Sequence, residues 1–317
     1  MATQTLTLEL HKKRKPSISR IIFIIAMVAW PLIQFIVFWA YVNVDTIIMS
    51  FQKLDYFSGK ELFVGFDNFK WVWDALTDKV QPALRNSIIN SLLLFLSNNF
   101  VLLPISIFFA YIMQKKLWGT KVFRIIFFLP NIISIVVLTM AYRFMFDSTF
   151  GPINYFLKSI GLGSIIPANG WLGDKNTAFM MVLFYCLWAG IGYNVVLLSG
   201  SMNRVPQEIY EAARLDGAGV GRELVQIVVP MISGTITTLF VSGISVIFTL
   251  FLQPMLLTNG GPYNGLSSTI AFFIVNTINS GDLYHAAATG LMFSIIGIPI
   301  IQFVKWGIEK LLPVVEY

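Results

Sequence analysis

Hydroxyl and amide side chains recur within an otherwise apolar segment, residues 228–257. Five of them are separated by 4, 3, 4 and 4 positions, which places them on one face of a helix. Such groups exchange hydrogen bonds with sugar hydroxyls, so we interpret this stripe as the lining of a solute path. Ordinary Ser and Thr packing between helices is the alternative. The stripe comprises Thr238, Ser242, Ser245, Thr249 and Gln253.

An aromatic set lies in a second apolar segment, residues 178–200. Its rings have flat apolar faces that suit the apolar faces of pyranose sugars. A packing ridge or an aromatic belt at the membrane interface is the alternative interpretation. The set comprises Tyr185, Trp188, Gly192, Tyr193 and Asn194, and Asn131 is a further polar candidate elsewhere in the chain.

Residues 203–227 differ from every other connection between apolar segments. Pro206 fits the first position of a helix, and Glu208 suits the positive end of a helix dipole. An alanine pair favours the helix, and Gly217 permits a turn that a residue with a Cβ would resist. We therefore predict a short helix followed by a bend.

A short amphipathic helix of this kind is able to insert into a groove on a partner protein. Its apolar face would enter the groove and its charged residues would fix the orientation. A helix lying on the membrane surface is the alternative, but anionic headgroups would favour a face rich in Lys and Arg rather than one with several carboxylates. The predicted contact residues are Glu208, Tyr210, Glu211, Ala212, Ala213, Leu215, Asp216 and Gly217.

Catalysis is not indicated by any motif in the chain. There is no Walker A pattern and no metal-ligand spacing, and the sequence has only two His and one Cys. We therefore expect a non-catalytic chain that binds no cofactor and no metal. Asp45, Arg143 and Lys305 fall near the ends of apolar segments rather than at their centres, which disfavours an ion-coupled carrier.

The elements that must position these residues are membrane helices. Of the 317 residues, 56% are hydrophobic and 12% are charged, so the chain carries more apolar surface than a soluble domain of this length can bury. A run of about 20 apolar residues crosses a bilayer as a helix. Six such runs predict an all-α protein with six transmembrane helices, at residues 21–44, 87–113, 122–146, 178–200, 228–257 and 284–312.

The distribution of charge predicts the topology. Most of the 22 Lys and Arg fall on the side of the membrane that holds the N-terminus, so both termini are expected in the cytoplasm. The formal charge of +6 therefore reflects topology, and no nucleic-acid partner is indicated. A signal peptide at the N-terminus is the alternative, although the first apolar run is longer than a signal core. The expected organisation is a cytoplasmic tail at 1–20 and one transmembrane domain at 21–317, with an extracytoplasmic loop at 46–85 and a cytoplasmic loop at 203–227.

A family resemblance rests on the cytoplasmic loop. Glu211-Ala212-Ala213, Gly217, Ile227 and Val229-Pro230 resemble, in residues and spacing, the EAA loop of permeases in bacterial binding-protein-dependent ABC importers. Val229 departs from the leucine that is common there. Three further segments resemble the carbohydrate-uptake branch: 65–69, 258–262 and 267–269.

The resemblance implies a type I ABC importer permease fold in a multi-pass protein of the inner membrane. It implies that this chain forms half of the translocation path for a sugar or oligosaccharide. The implied partners are a second homologous permease, a dimer of ATPase subunits that binds ATP and Mg, and an extracytoplasmic solute-binding protein. A glycine and a tyrosine of the family's substrate contacts match Gly190 and Tyr193.

Two other functions stay open at this point. One is an ABC permease for a non-sugar solute, and the other is an ion-coupled secondary carrier or channel that acts alone. The sequence does not identify the sugar, the ATPase or the binding protein, or which permease subunit holds most of the substrate site.

Overall fold

A computed structural model describes residues 18–55, 57–77, 82–115, 119–261 and 265–311. Most of the expected N-terminal tail and Pro262 of the carbohydrate-branch segment lie outside these ranges. The part of the chain that the structure describes is mainly helical. Its helices are α1 (Ile18–Met49), α2 (Asp67–Thr77), α3 (Ala83–Gln114), α4 (Thr120–Ile132), α5 (Ile135–Met145), α6 (Pro152–Ser159), α7 (Ala178–Met202), α8 (Gln207–Leu215), α9 (Val220–Met231), α10 (Ser233–Thr249), α11 (Leu252–Thr258), α12 (Ile270–Asn279) and α13 (Leu283–Leu311).

Helix α1 belongs to a compact unit that ends at Met49, and the second unit begins at Ser50. The helix contains 32 residues, or about 48 Å at 1.5 Å per residue, which exceeds the thickness of a bilayer core. None of its residues is buried, and one wide turn of π-helix, Phe35–Ala40, interrupts its α-helical pattern. The single domain expected over residues 21–317 stays a prediction.

The connection after α1 is folded rather than purely helical. Strands β1 (Gln52–Asp55) and β2 (Lys60–Phe63) form an antiparallel hairpin, which the all-α expectation missed. Gly59, at φ +66°, adopts the left-handed conformation that a tight turn between two strands requires. The Asn68 side chain at the start of α2 donates hydrogen bonds to the carbonyls of Ser50 and Gln52, at 2.9 and 2.7 Å.

Three long helices of the second unit match predicted spans: α3, α7 and α13. Together with α1, four helices within the described ranges are long and apolar enough to cross a membrane, and the number rises to six if each of two bent pairs counts as one span. Helix α7 packs against both α3 and α4, while α10 packs against α3 and α13. The core is therefore built around α3 and α7.

The predicted third span, residues 122–146, is wrong as a single helix. Helices α4 and α5 meet at an angle of 103°, with Ile133 and Ser134 extended between them. Hydropathy stays high through this break. Pro130, which has no amide hydrogen to continue the helical ladder, lies in the last turn of α4.

The predicted fifth span, residues 228–257, is also broken. Helices α9 and α10 are bent by 77°, and α10 ends before Leu250. Pro254 has no N–H to donate to the Leu250 carbonyl, four residues earlier. The Thr269 hydroxyl donates to that carbonyl instead, so the break leaves no unpaired acceptor there.

Close helix packing depends on glycine at two positions. A Cβ at Gly192 would overlap the Phe127 carbonyl oxygen, and a Cβ at Gly243 would overlap the Asn99 amide. Small residues are frequent where membrane helices approach closely, because van der Waals contact holds them together. Gly192 therefore allows α7 to pack closely against α4, and Gly243 allows α10 to pack closely against α3.

We expect Gly192→Ala to destabilise the helix bundle. The new methyl meets backbone rather than a flexible side chain, so α4 must shift, at a cost of about 1–3 kcal/mol. Gly200→Ala is the matched control, because it lies on the same helix and has no heavy atom within 4 Å of the added Cβ. The measurement is the melting temperature of the full chain in detergent, and equal melting temperatures for the two variants would contradict the packing argument.

Candidate functional site

A cavity of about 510 Å³ lies among α3, α4, α5, α7, α10 and α11. Its wall is mainly apolar, with a small number of polar side chains. Such a combination is typical of sites that bind a small organic molecule. The polar and tyrosine side chains that line it are Ser97, Asn98, Asn131, Tyr185, Tyr193, Asn194, Ser242 and Gln253.

The α7 wall carries most of the predicted aromatic set. Tyr193 is 52% exposed and lines the cavity, whereas Tyr185 lines it as a nearly buried ring. Gly190 lines the wall beside Leu102. Trp188 is not among the lining residues, because its ring packs near Tyr142 and Tyr185.

The predicted polar stripe does not line the cavity as a continuous face. Ser242 and Gln253 are at the cavity, but Gln253 belongs to α11, after the break that ends α10. The remaining members donate within their own helix. Thr238 donates to the Gly234 carbonyl at 2.9 Å, Ser245 to Val241 at 3.3 Å, and Thr249 to Ser245 at 2.9 Å.

Polar side chains of α3 and α4 complete the wall. Asn131 donates to the Ala189 carbonyl at 3.1 Å, which leaves its side-chain oxygen available to accept. Ser97 and Asn98 line the cavity from α3. The sequence analysis did not include Ser97 and Asn98 among the path residues. Their polar side chains in the middle of an apolar run are the sequence signal for such a position.

The described wall of the cavity carries no acidic or basic side chain. Among the lining residues that the structure describes, none is Asp, Glu, Lys, Arg or His. A charge transferred there from water would lose hydration without gaining a counter-ion. The chemistry of the wall therefore suits a neutral ligand with hydroxyl groups.

Helix α8 shows where the predicted contact residues lie. Tyr210 and Ala213 are buried, whereas Glu208, Glu211, Ala212 and Leu215 form an exposed face at helical spacing. Leu215 is 89% exposed, and Asp216 and Gly217, also exposed, end the helix with Gly217 at φ +75°.

Tyr210 lies on the buried side of α8, away from the exposed face, and its insertion into a partner's groove stays a prediction. It packs in a core cluster with residues of α3 and α7. Its hydroxyl oxygen accepts a hydrogen bond from Gln114 Nε2 at 3.0 Å. Burial raises the pKa of this phenol, which stays neutral at physiological pH.

A buried carboxylate fixes the segment that follows α8. Glu223 is 3% exposed, and its Oε1 lies 2.6 Å from Lys115 Nζ, while Arg214 Nε lies 3.8 Å from the other oxygen. Burial lowers the pKa of Lys115, but hydrogen bonds with Glu223 and Tyr111 outweigh that effect and raise it overall. The sequence argument missed this pair, since 108 positions separate the two residues.

Within the described ranges, no three His, Cys, Asp or Glu side chains come together in the way that metal ligands do. What the described side chains form is a neutral cavity and, at the α8 end of the bundle, a helix with one exposed face.

Comparisons with known proteins identify a family, relatives and a solved structure that this chain resembles. Residues 102–313 match the family model "Binding-protein-dependent transport system inner membrane component". The chain is 29% identical to the Bacillus subtilis (strain 168) protein named "Probable ABC transporter permease protein YurN", over 88% of this chain and 95% of that protein. It is 30% identical to the arabinooligosaccharides transport system permease protein AraP of Halalkalibacterium halodurans, over 88% of this chain and 86% of that protein. The same fold is present in a crystal structure of a bacterial alginate ABC transporter in complex with an alginate pentasaccharide-bound periplasmic protein. The matching chain has a TM-score of 0.79 and 20% identity, over 94% of this chain and 97% of that one.

We expect Glu223→Ala to loosen the loop between α7 and α10. The substitution leaves the half-buried Lys115 without its carboxylate, and loss of one member of a buried pair costs about 1–3 kcal/mol when the other member retains some solvent. The measurement is the rate of limited proteolysis within residues 203–227, together with the melting temperature of the chain.

The matched control is Asp67→Ala, which breaks an exposed pair with Lys70 and is expected to change stability by less than about 1 kcal/mol. If Asp67→Ala and Glu223→Ala had the same effect on both measurements, the buried pair would not be what holds the loop.

Proposed function

The chain belongs to the family of inner-membrane components of binding-protein-dependent transport systems, and from that premise we propose that it forms half of the path for a sugar or oligosaccharide in an ATP-driven importer. It is a multi-pass permease subunit of the inner membrane. The observation that carries the sugar assignment is the uncharged cavity with tyrosine, asparagine, serine and glutamine side chains in its wall.

The cavity wall offers the groups that a sugar needs. Tyr193 presents an aromatic ring, and the Asn131, Ser242 and Gln253 side chains carry donors and acceptors for ring hydroxyls. A neutral sugar leaves no charge unpaired in such a wall. The same composition disfavours the ion-coupled carrier or channel, because coupling ions require ionisable or carbonyl ligands along the path.

Coupling to ATP hydrolysis is assigned to the exposed face of α8. Glu208, Glu211, Ala212 and Leu215 share that face, and Asp216 and Gly217 follow it. The exposed Leu215 beside the small side chain of Ala212 suits a groove on an ATPase partner. On this proposal a dimer of ATPase subunits binds ATP and Mg, and the present chain carries no catalytic residue.

The proposed assembly also contains a second homologous permease and an extracytoplasmic solute-binding protein. Each bent helix pair counts as one span, which gives six spans with both termini in the cytoplasm. This topology puts α8 on the cytoplasmic side, where an ATPase is present, and the hairpin with α2 on the side where a binding protein delivers solute.

The proposal is tested by purifying the tagged full chain from its native membranes in mild detergent and reconstituting the resulting complex in liposomes. We expect a second permease and an ATPase to co-purify, and sugar uptake to require ATP and the binding protein. A chain that purified alone and transported without ATP would establish the carrier alternative instead.

A variant pair tests the coupling face in the same assay. Gly217→Asp introduces a side chain at φ +75°, so we expect uptake to fall by at least about tenfold through a changed end of α8. Gly219→Asp is the control, since Gly219 has φ −70° and open space around an added Cβ. Uptake by Gly217→Asp at the wild-type rate would remove this turn from the coupling mechanism.

The assignment of the path is tested within the predicted stripe itself. Ser242→Ala and Gln253→Ala remove groups at the cavity, so each is expected to raise the KM for uptake about fivefold, the value of one hydrogen bond of about 1 kcal/mol. Ser245→Ala is the matched control, because its hydroxyl bonds within its helix. A larger effect from Ser245→Ala than from Ser242→Ala would place the path elsewhere.

A further inference from the structure

A second cavity, of about 560 Å³, lies at the α8 end of the bundle and is separate from the proposed sugar path. The end of α3, the start of α4 and the end of α7 form its wall. It shares Gln114 and Asn203 with the groove beside α8, but no lining residue with the first cavity. Neither the predicted contact residues nor the proposed path uses it.

The charge of this second cavity has one sign. Lys121 and Arg124 line it, and no carboxylate is among its described lining residues. Neither cation takes part in an ion pair between described side chains. Two basic groups around one concave surface, without a protein counter-ion, favour an anionic ligand.

The start of α4 adds hydrogen-bond donors to that charge. Gly119 precedes the helix at φ +86° and has no side chain to cap it. The first amides of a helix have no acceptor within the helix, and together with the helix dipole they attract phosphate and carboxylate groups. Helix α4 has 13 residues, enough for a developed dipole.

A buried hydroxyl gives an independent indication of a ligand. Ser199 on α7 lines the same cavity and is 5% exposed. Its hydroxyl has no hydrogen-bond partner among the described residues. Buried hydroxyls are normally paired, so an unpaired one in the wall of a basic cavity indicates an acceptor supplied from outside the chain.

From these observations, we propose that the cavity binds a phosphate group, carried either by an anionic phospholipid or by free phosphate. Lys121 and Arg124 hold the oxygens at the positive end of α4, and the Ser199 hydroxyl donates one further bond. Phe123 and Ile126 on the same helix are exposed and apolar, which gives an acyl chain a surface next to the headgroup.

The test measures binding rather than transport, so its outcome is independent of the proposed function. The full chain, purified with the subunits that remain bound to it, is titrated with dihexanoyl-phosphatidylglycerol, dihexanoyl-phosphatidylcholine and inorganic phosphate. The rise in melting temperature with concentration gives each Kd. We expect saturable stabilisation by phosphatidylglycerol and a weaker effect of phosphatidylcholine, whose choline group carries a positive charge.

Two variants assign the site. Lys121→Gln with Arg124→Gln is expected to raise the Kd at least about tenfold, and Ser199→Ala several-fold, because hydrogen bonds to a charged group are the strong ones. Ser199→Ala is also expected to leave the melting temperature without added phosphate unchanged or higher, since it removes an unpaired buried hydroxyl. Lys158→Gln with Lys175→Gln removes the same charge from exposed positions outside this cavity and is expected to leave the Kd unchanged.

The two sources of phosphate give different results. If inorganic phosphate raises the melting temperature as much as phosphatidylglycerol does, a free phosphate group is sufficient for binding. If only phosphatidylglycerol raises it, the ligand is a lipid headgroup. The absence of saturable stabilisation by either probe would overturn the proposal. An unchanged Kd in both the Ser199 variant and the double basic variant would also overturn it.

Discussion

The carboxylate of Glu223 ties the connection between α7 and α10 to the end of α3. A buried carboxylate is costly unless it is paired, so the segment is stable only where Lys115 and Arg214 reach it. Helix α8 is consequently held against α3 through Glu223 and through Tyr210 on its buried face, which leaves the proposed coupling face exposed. Helix α3 runs from Ala83 to Gln114 with a π-helical segment at Asn98–Leu102, and Asn98 lines the central cavity about 25 Å from Lys115, at 1.5 Å per residue. Helix α3 therefore connects the α8 end of the bundle with the cavity wall.

The breaks in the bundle follow from the requirement that backbone groups within a membrane find partners inside the protein. Pro254 leaves the Leu250 carbonyl without its helical donor, and the Thr269 hydroxyl supplies one. Because the chain changes direction at that point, Gln253 faces the cavity, whereas Thr249 on the preceding helix donates to its own backbone. The proline and the distant threonine thus act together to place one polar side chain in the wall of the central cavity.

The long helices and the short α8 could be predicted from the sequence, since each depends on local signals: an apolar run for α3, α7 and α13, and a proline and a glycine at the two ends of α8. The breaks could not be predicted from hydropathy, which stays high across Ile133 and Leu250. The burial of Tyr210 was missed because an amphipathic helix has two faces, and its sequence does not say which one packs against its own chain. The Glu223 pair depends on a contact across 108 positions, which no local pattern encodes.

The two cavities differ in the charge of their described walls. The described wall of the central cavity contains no ionised side chain, so a charged solute there would lose its hydration and gain only dipoles and hydroxyls. At the α8 end, by contrast, unpaired basic groups surround a helix start. On the proposed function, a neutral sugar needs no counter-charge from this wall. An acidic sugar needs its counter-charge from another subunit, because hydroxyl and amide groups stabilise a carboxylate less than a guanidinium does.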